Sequence, residues 1–207
     1  IEGPRQAATD AAEAFVKERG LCYMSHNLSP YFSEGMKAAS YEIVDVLGGE
    51  IDHVVLPVGN GSLLIGMVRG YQELLAAGVI VKIPKFHCVQ AHAVRPLVAA
   101  LNGEQWSYHD ALPTNASGIA VSKPPRLSEM LEAINSTNGS GITVPEESLG
   151  AWQKRLSASE GLFSEMTSAG AFAGLERLIE SGEIEHGSNV CLPITGSGLK
   201  EPLKVVG

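Results

Sequence analysis

The chain has 207 residues, 44% hydrophobic and 18% charged, which fits one large or two small globular domains. A formal net charge of −8, with no lysine or arginine cluster to offset it, excludes a surface built for nucleic acid. No apolar run reaches membrane-spanning length, and nothing reads as a secretory signal.

The first residue is Ile rather than Met, so the chain is expected to be a piece of a longer protein or a processed product. Residues 5–19 are predicted as a helix, with Phe15 and Val16 on its apolar stripe and Gly20 as its stop. Residues 21–24 are predicted as a short strand and 25–32, with Asn27 and Pro30, as a loop. An amphipathic helix is predicted over 34–47, ending at Gly48-Gly49. Residues 54–58 are continuously apolar, the mark of a strand buried on both faces. A helix over 62–77 follows, stopped by Gly78, and then a second buried strand over 86–90. A short helix is predicted after Pro96. Residues 102–126 are polar and turn-rich. A helix over 127–135, a strand over 141–144, a helix opened by Pro145 and another over 167–180 come next. A last buried strand is predicted over 189–194. Buried strands alternating with helices predict an α/β fold: a mostly parallel sheet with helices on both faces, in three layers.

The stretch Pro57-Val58-Gly59-Asn60-Gly61-Ser62 stands between a buried strand and a helix. That order gathers free backbone N–H groups and the positive end of a helix dipole at one point, where an anion such as phosphate can bind. Gly59 and Gly61 let an anion approach the backbone, Asn60 tolerates a left-handed turn, and Ser62 is a natural N-cap. The loop is neither a Walker motif nor the dinucleotide fingerprint, and an ordinary strand-to-helix turn is the alternative. Thr195-Gly196-Ser197-Gly198 is a second glycine-bearing segment at a predicted strand end. In open parallel sheets, ligands sit at the carboxyl ends of strands, so one shared site is expected.

Other candidates are weaker. The six histidines show no ligand spacing for zinc, and His53 and His87 flank strands, as structural residues do. Cys22, Cys88 and Cys191 form no Cys-x-x-Cys. Sparse thiols fit a reducing cytoplasm, and Cys88 and Cys191 sit in apolar runs as small hydrophobes. Gly196-Ser197-Gly198 is too short for a hydrolase nucleophile elbow.

Several segments, in order, resemble a known family. These are Glu34-Gly35-Met36-Lys37 leading to Tyr41-Glu42-Ile43, the loop from Pro57 to Ser62, and Val89-Gln90-Ala91 with Pro96 behind it. Glu160 to Glu165 leading into Ser168-Ala169, and Thr195 to Pro202, complete the set. The chain resembles the large-domain, C-terminal portion of threonine synthase-like enzymes. These belong to the tryptophan synthase β-type, or fold type II, group of pyridoxal-phosphate enzymes of amino-acid metabolism.

The resemblance implies pyridoxal phosphate as cofactor. It places the backbone of Gly59, Asn60, Gly61, Ser62 and Leu63 around the cofactor phosphate, Thr195 against the pyridine nitrogen and Glu165 near the ring. A neutral hydroxyl on that nitrogen makes a mild electron sink, suited to β- or γ-replacement and elimination on a hydroxy- or phospho-amino acid. The resemblance also implies a small amino-acid substrate, a homodimer when intact and a cytoplasmic location.

Two departures matter. The family's Schiff-base lysine lies in an earlier Ser-x-Lys segment that this sequence lacks; Lys37 belongs to a different motif and Lys200 is a poor substitute. Met166 stands where the family has proline. So residues 1–24 are expected to be a crossover from a missing N-terminal part, and 25–207 the large cofactor-binding domain. No catalytic residue is assigned, and the chain alone is expected to be inactive. Apolar surface is expected to be left exposed, with residues 5–24 making poor contacts or docking on a neighbouring chain, and the site open to solvent on one side. The rival expectation is a non-catalytic ligand-binding or regulatory domain that keeps the fold.

Overall fold

A computed structural model describes residue 2 and residues 5–200. Four strands form one sheet: β1 (His53–Pro57), β2 (Lys85–Ala91), β3 (Gly141–Val144) and β4 (Val190–Cys191), in the order β3-β2-β1-β4. Every pairing is parallel, with Val54 opposite Phe86 and Cys191, and Val89 opposite Ile142.

The apolar run on β1 is buried on both sides, because successive side chains point to opposite faces and each face is covered. Val54, Leu56, Phe86 and Cys88 join a core with Leu64, Met67, Tyr71, Leu97, Met130 and Ile134. Those residues come from α4 (Ser62–Ala76), α5 (Pro96–Leu101) and α6 (Leu127–Ser136). Val55, Val89, Ala91 and Val144 join a second core with Leu149, Ala173 and Leu178, from α7 (Glu146–Glu160) and α8 (Met166–Glu180). Each such Val, Leu or Phe contributes roughly 1.5–3 kcal/mol on burial. The three-layer α/β architecture is as the sequence predicts.

Two helices cover α4 from outside, α2 (Pro30–Met36) and α3 (Ala38–Leu47), preceded by α1 (Arg5–Arg19). Gly66 permits the close approach: a Cβ there would lie 2.6 Å from the Ser33 carbonyl oxygen. Ser40 Oγ donates to the Met67 carbonyl at 2.8 Å. Ion pairs frame the contact. Lys37 Nζ lies 2.5 Å from Glu73, and Arg126 grips Glu129 at 2.7 Å and also donates to Ser33.

The structure corrects four sequence readings. Pro30 opens α2 rather than lying in a loop, since proline at a first helical position forfeits only an N–H with no partner. The helix predicted over 34–47 is two helices. They break at Lys37, whose N–H bonds to the Glu34 carbonyl in a tightened turn. Residues 21–24 are not a strand; they make no pairing in the sheet, and Tyr23 instead lines a cavity. The strand predicted over 189–194 shrinks to Val190–Cys191, half-buried at the sheet edge, with Pro193, which has no N–H to pair, just beyond it. Phe15, Leu21 and Met24 are exposed.

At the amino end of the sheet, His53 Nδ1 and His87 Nε2 are 2.9 Å apart, and His87 Nδ1 lies 2.8 Å from Ser140 Oγ. Both rings are buried. Burial pushes the Cys88 thiol up to about 12, which leaves it an inert core group.

Candidate functional site

At the opposite, carboxyl end of the sheet lies a cavity of about 280 Å³. Its floor is Pro57 through Leu64. Gly118 and Ile119 form one wall, and Glu165, Thr167 and Thr195 another. His26 and Asn27, from the segment entering α2, and Phe32 within α2 also line it.

The floor turns at Gly61, not at Asn60 as the sequence reading allowed. Gly61 has φ +81°, and among the described residues the one non-glycine with positive φ is Asn138. Gly61, rather than Ser62, is also the N-cap of α4, and no side chain caps that end. Ser62 is the first helical residue. Its hydroxyl is buried without a hydrogen-bond partner. The first-turn N–H groups of a helix have no intrahelical acceptor, so a 15-residue helix opens uncapped at the cavity floor. Gly59 lies under the wall: a Cβ there would meet the Gly118 carbonyl at 2.9 Å. An orphaned buried hydroxyl, uncapped helix amides and a side-chain-free approach together fit a phosphate group. Ser62→Ala is expected to leave stability within about 0.5 kcal/mol, since it deletes an unsatisfied group. It is also expected to weaken phosphate binding roughly tenfold, read by calorimetry.

Gln90, a residue to which sequence reasoning gave no role, fixes this floor from below. Its side chain is fully buried. Nε2 donates to the Val58 carbonyl at 3.0 Å, and Oε1 accepts from the N–H groups of Leu97 and Val98 at 2.9 and 3.1 Å. One amide thus ties the end of β1 to the start of α5. An uncharged amide at the carboxyl end of a predicted buried strand was the available signal. Gln90→Leu leaves three buried backbone groups unpaired and is expected to cost about 2 kcal/mol in a urea melt.

The far wall is set by a short antiparallel contact between Ser164 and Ser197. Glu165 N–H donates to the Gly196 carbonyl at 2.9 Å, and Gly198 N–H to the Phe163 carbonyl at 2.9 Å. This register brings Thr195 against Glu165 and Ser168. Thr195 Oγ1 donates to Glu165 Oε1 at 3.1 Å and lies 2.9 Å from Ser168 Oγ. Glu165 is buried at the start of α8. Thr167 Oγ1 accepts the Gly118 N–H at 3.0 Å and closes the wall. Lys200 Nζ lies 2.5 Å from Glu165 Oε2, so a residue the sequence reading set aside is part of this cluster. Lys37 is not among the residues lining the cavity. The Glu34 and Glu73 carboxylates hold its amine charged, above the ordinary lysine range.

The fold and cavity together define an α/β protein with an uncapped helix N-terminus on the floor of a cavity and a hydroxyl-bearing wall beside it. The chain belongs to the family of pyridoxal-phosphate dependent enzymes, whose pattern matches residues 1–196. It is 32% identical to a threonine synthase of Methanocaldococcus jannaschii, over 98% of this chain and 50% of that protein. It is 34% identical to a threonine synthase of Mycobacterium tuberculosis, over 98% of this chain and 54% of that protein. The chain thus spans about half the length of the curated relatives it matches. Among solved structures it resembles threonine deaminase isoform 2 of Solanum lycopersicum in fold, with TM-score 0.71 and 20% identity. That match covers 89% of this chain and 51% of that one. Among the described residues, no helix is long and apolar enough to cross a membrane.

Proposed function

We propose that this chain is the large-domain portion of a pyridoxal-phosphate-dependent lyase or synthase. The enzyme acts on a hydroxy- or phospho-amino acid by β- or γ-replacement or elimination. The observation that carries the reading is the buried, unpartnered Ser62 hydroxyl beside the uncapped start of α4, in a cavity that Thr195 also lines.

In this reading the backbone of Gly59 through Leu63 and the Ser62 hydroxyl hold the cofactor phosphate. The helix dipole adds a favourable field for its charge. Thr195 meets the ring nitrogen, and Glu165 orients Thr195 from behind. Pyridoxal phosphate, when bound, supplies an electron sink for the substrate's Cα. Thr195, an uncharged group, keeps that sink mild. Asn27 borders both this cavity and a second one of about 390 Å³, which Asp10, Tyr23 and Lys123 also line. That polar neighbour suits a small amino acid.

Residues 1–24 are the crossover from an N-terminal part that carries the reacting lysine. Residues 25–207 are the cofactor-binding domain. The intact enzyme is a cytoplasmic homodimer, and the exposed Phe15, Leu21 and Met24 are surface that the N-terminal part covers. The test is to mix the 207-residue chain with pyridoxal phosphate, reduce with borohydride and map adducts by mass spectrometry. Reversible binding without a stoichiometric lysine adduct is expected. Joined to the N-terminal part, the protein should form a reducible adduct there and turn over threonine, serine or their O-phospho esters. A stoichiometric adduct on Lys37 or Lys200 would overturn the assignment of the reacting amine. No binding at all would favour a domain that has lost the cofactor.

A further inference from the structure

Thr195 Oγ1 has a single proton to give and faces a strong acceptor. Glu165 Oε1, 3.1 Å away, belongs to a carboxylate, which when ionised can only accept. Ser168 Oγ accepts the Thr195 N–H at 3.0 Å, and its own proton has two acceptors within reach, Thr195 Oγ1 at 2.9 Å and Glu165 Oε1 at 3.5 Å. In either arrangement Thr195 spends its proton inside the wall and offers the cavity a lone pair.

Lys200 stands on the other oxygen of the same carboxylate. Its ammonium sits 2.5 Å from Glu165 Oε2, on a carboxylate side chain only 4% exposed. That cation offsets the negative charge that Glu165 brings to the cavity wall. Among the described residues lining the cavity, the other titratable side chain is His26.

We propose that Lys200 is a positioning residue that sets the charge behind Thr195, and through it the protonation of the cofactor's ring nitrogen. By offsetting the Glu165 charge behind Thr195, it lowers the affinity of the ring nitrogen for a proton. Without Lys200, the uncompensated carboxylate favours a protonated nitrogen. This rests on the cofactor site proposed above and adds to it the residue that tunes the ring.

The probe is pyridoxine 5′-phosphate labelled with nitrogen-15 in the ring. It has the phosphate and ring of the cofactor but no aldehyde to react with an amine. Its nitrogen chemical shift is followed against pH while bound to the 207-residue chain and to variants. Lys200→Met should raise the protonation midpoint by about one pH unit, about tenfold in the protonation constant. Lys200→Arg, which keeps the charge, should restore the original midpoint. In a Glu165→Gln background, Lys200→Met should have no effect. An unchanged midpoint in Lys200→Met with ligand still bound would overturn the role of Lys200 while leaving the cofactor site standing. So would a shift that persists in the Glu165→Gln background. Failure of the unaltered chain to bind the probe would overturn the site itself, and the Lys200 role with it.

Discussion

Gly61→Ala is expected to destabilise the chain by about 2–4 kcal/mol and to abolish anion binding at the loop. Two costs add. Gly61 has φ +81°, where an L side chain is strained. The new Cβ would also lie 2.2 Å from Met130 Sδ, inside a core where Met130 is fully buried and has little room to move. Either response, a flipped turn or a displaced α6, moves the first amides of α4 away from the cavity. Urea melts and phosphate titration, read together, check this. A variant with unchanged midpoint and affinity would show that the turn is not held as described.

Acidification should weaken the fold through the histidine pair at the other end of the sheet. Burial, with His53 and Lys85 nearby, lowers His87 from an ordinary value of 6.5 to about 4, and burial lowers His53 as well. Between those two values the unfolded chain binds a proton that the folded chain refuses. Stability from His87 is therefore fully present above about pH 6.5. It falls as the pH drops and levels off below about pH 4. The loss across that window is about 3 kcal/mol. His87→Gln keeps a hydrogen-bonding side chain but cannot titrate. Its urea midpoint should depend less on pH between 4 and 7. Equal slopes for both proteins would mean that His87 is not the group responsible.

The layers were legible because β1 is a short apolar run and the predicted strands alternate with amphipathic helices. Burial on both faces leaves few alternatives to a covered parallel sheet. The anion loop was legible for a local reason, glycines between a buried strand and a helix start. What the sequence did not reveal lies in tertiary register. Nothing local says that Gly61, not Asn60, takes the left-handed turn, or that Ser62 falls one residue inside the helix with its hydroxyl left over. The wall at Thr195 depends on residues 163–165 lying antiparallel to 196–198, a contact between segments about 30 residues apart. Gln90 and Lys200 act through partners distant in the chain or on another loop, which no spacing rule marks. Pro30 misled because proline punctuates loops and opens helices equally well.

The central claim is that the turn from Gly59 through Leu63 holds the cofactor's phosphate at the carboxyl end of the sheet. Its most direct test is amide-resolved NMR of the nitrogen-15-labelled chain titrated with pyridoxal phosphate. Saturable shifts should be largest at Gly59, Asn60, Gly61, Ser62 and Leu63, with a second group at Thr195 and Gly196, and Ser62→Ala should weaken them. Saturable shifts centred instead on Asp52, His53 and Lys82 at the amino end, or none near the turn at saturating ligand, would contradict the account.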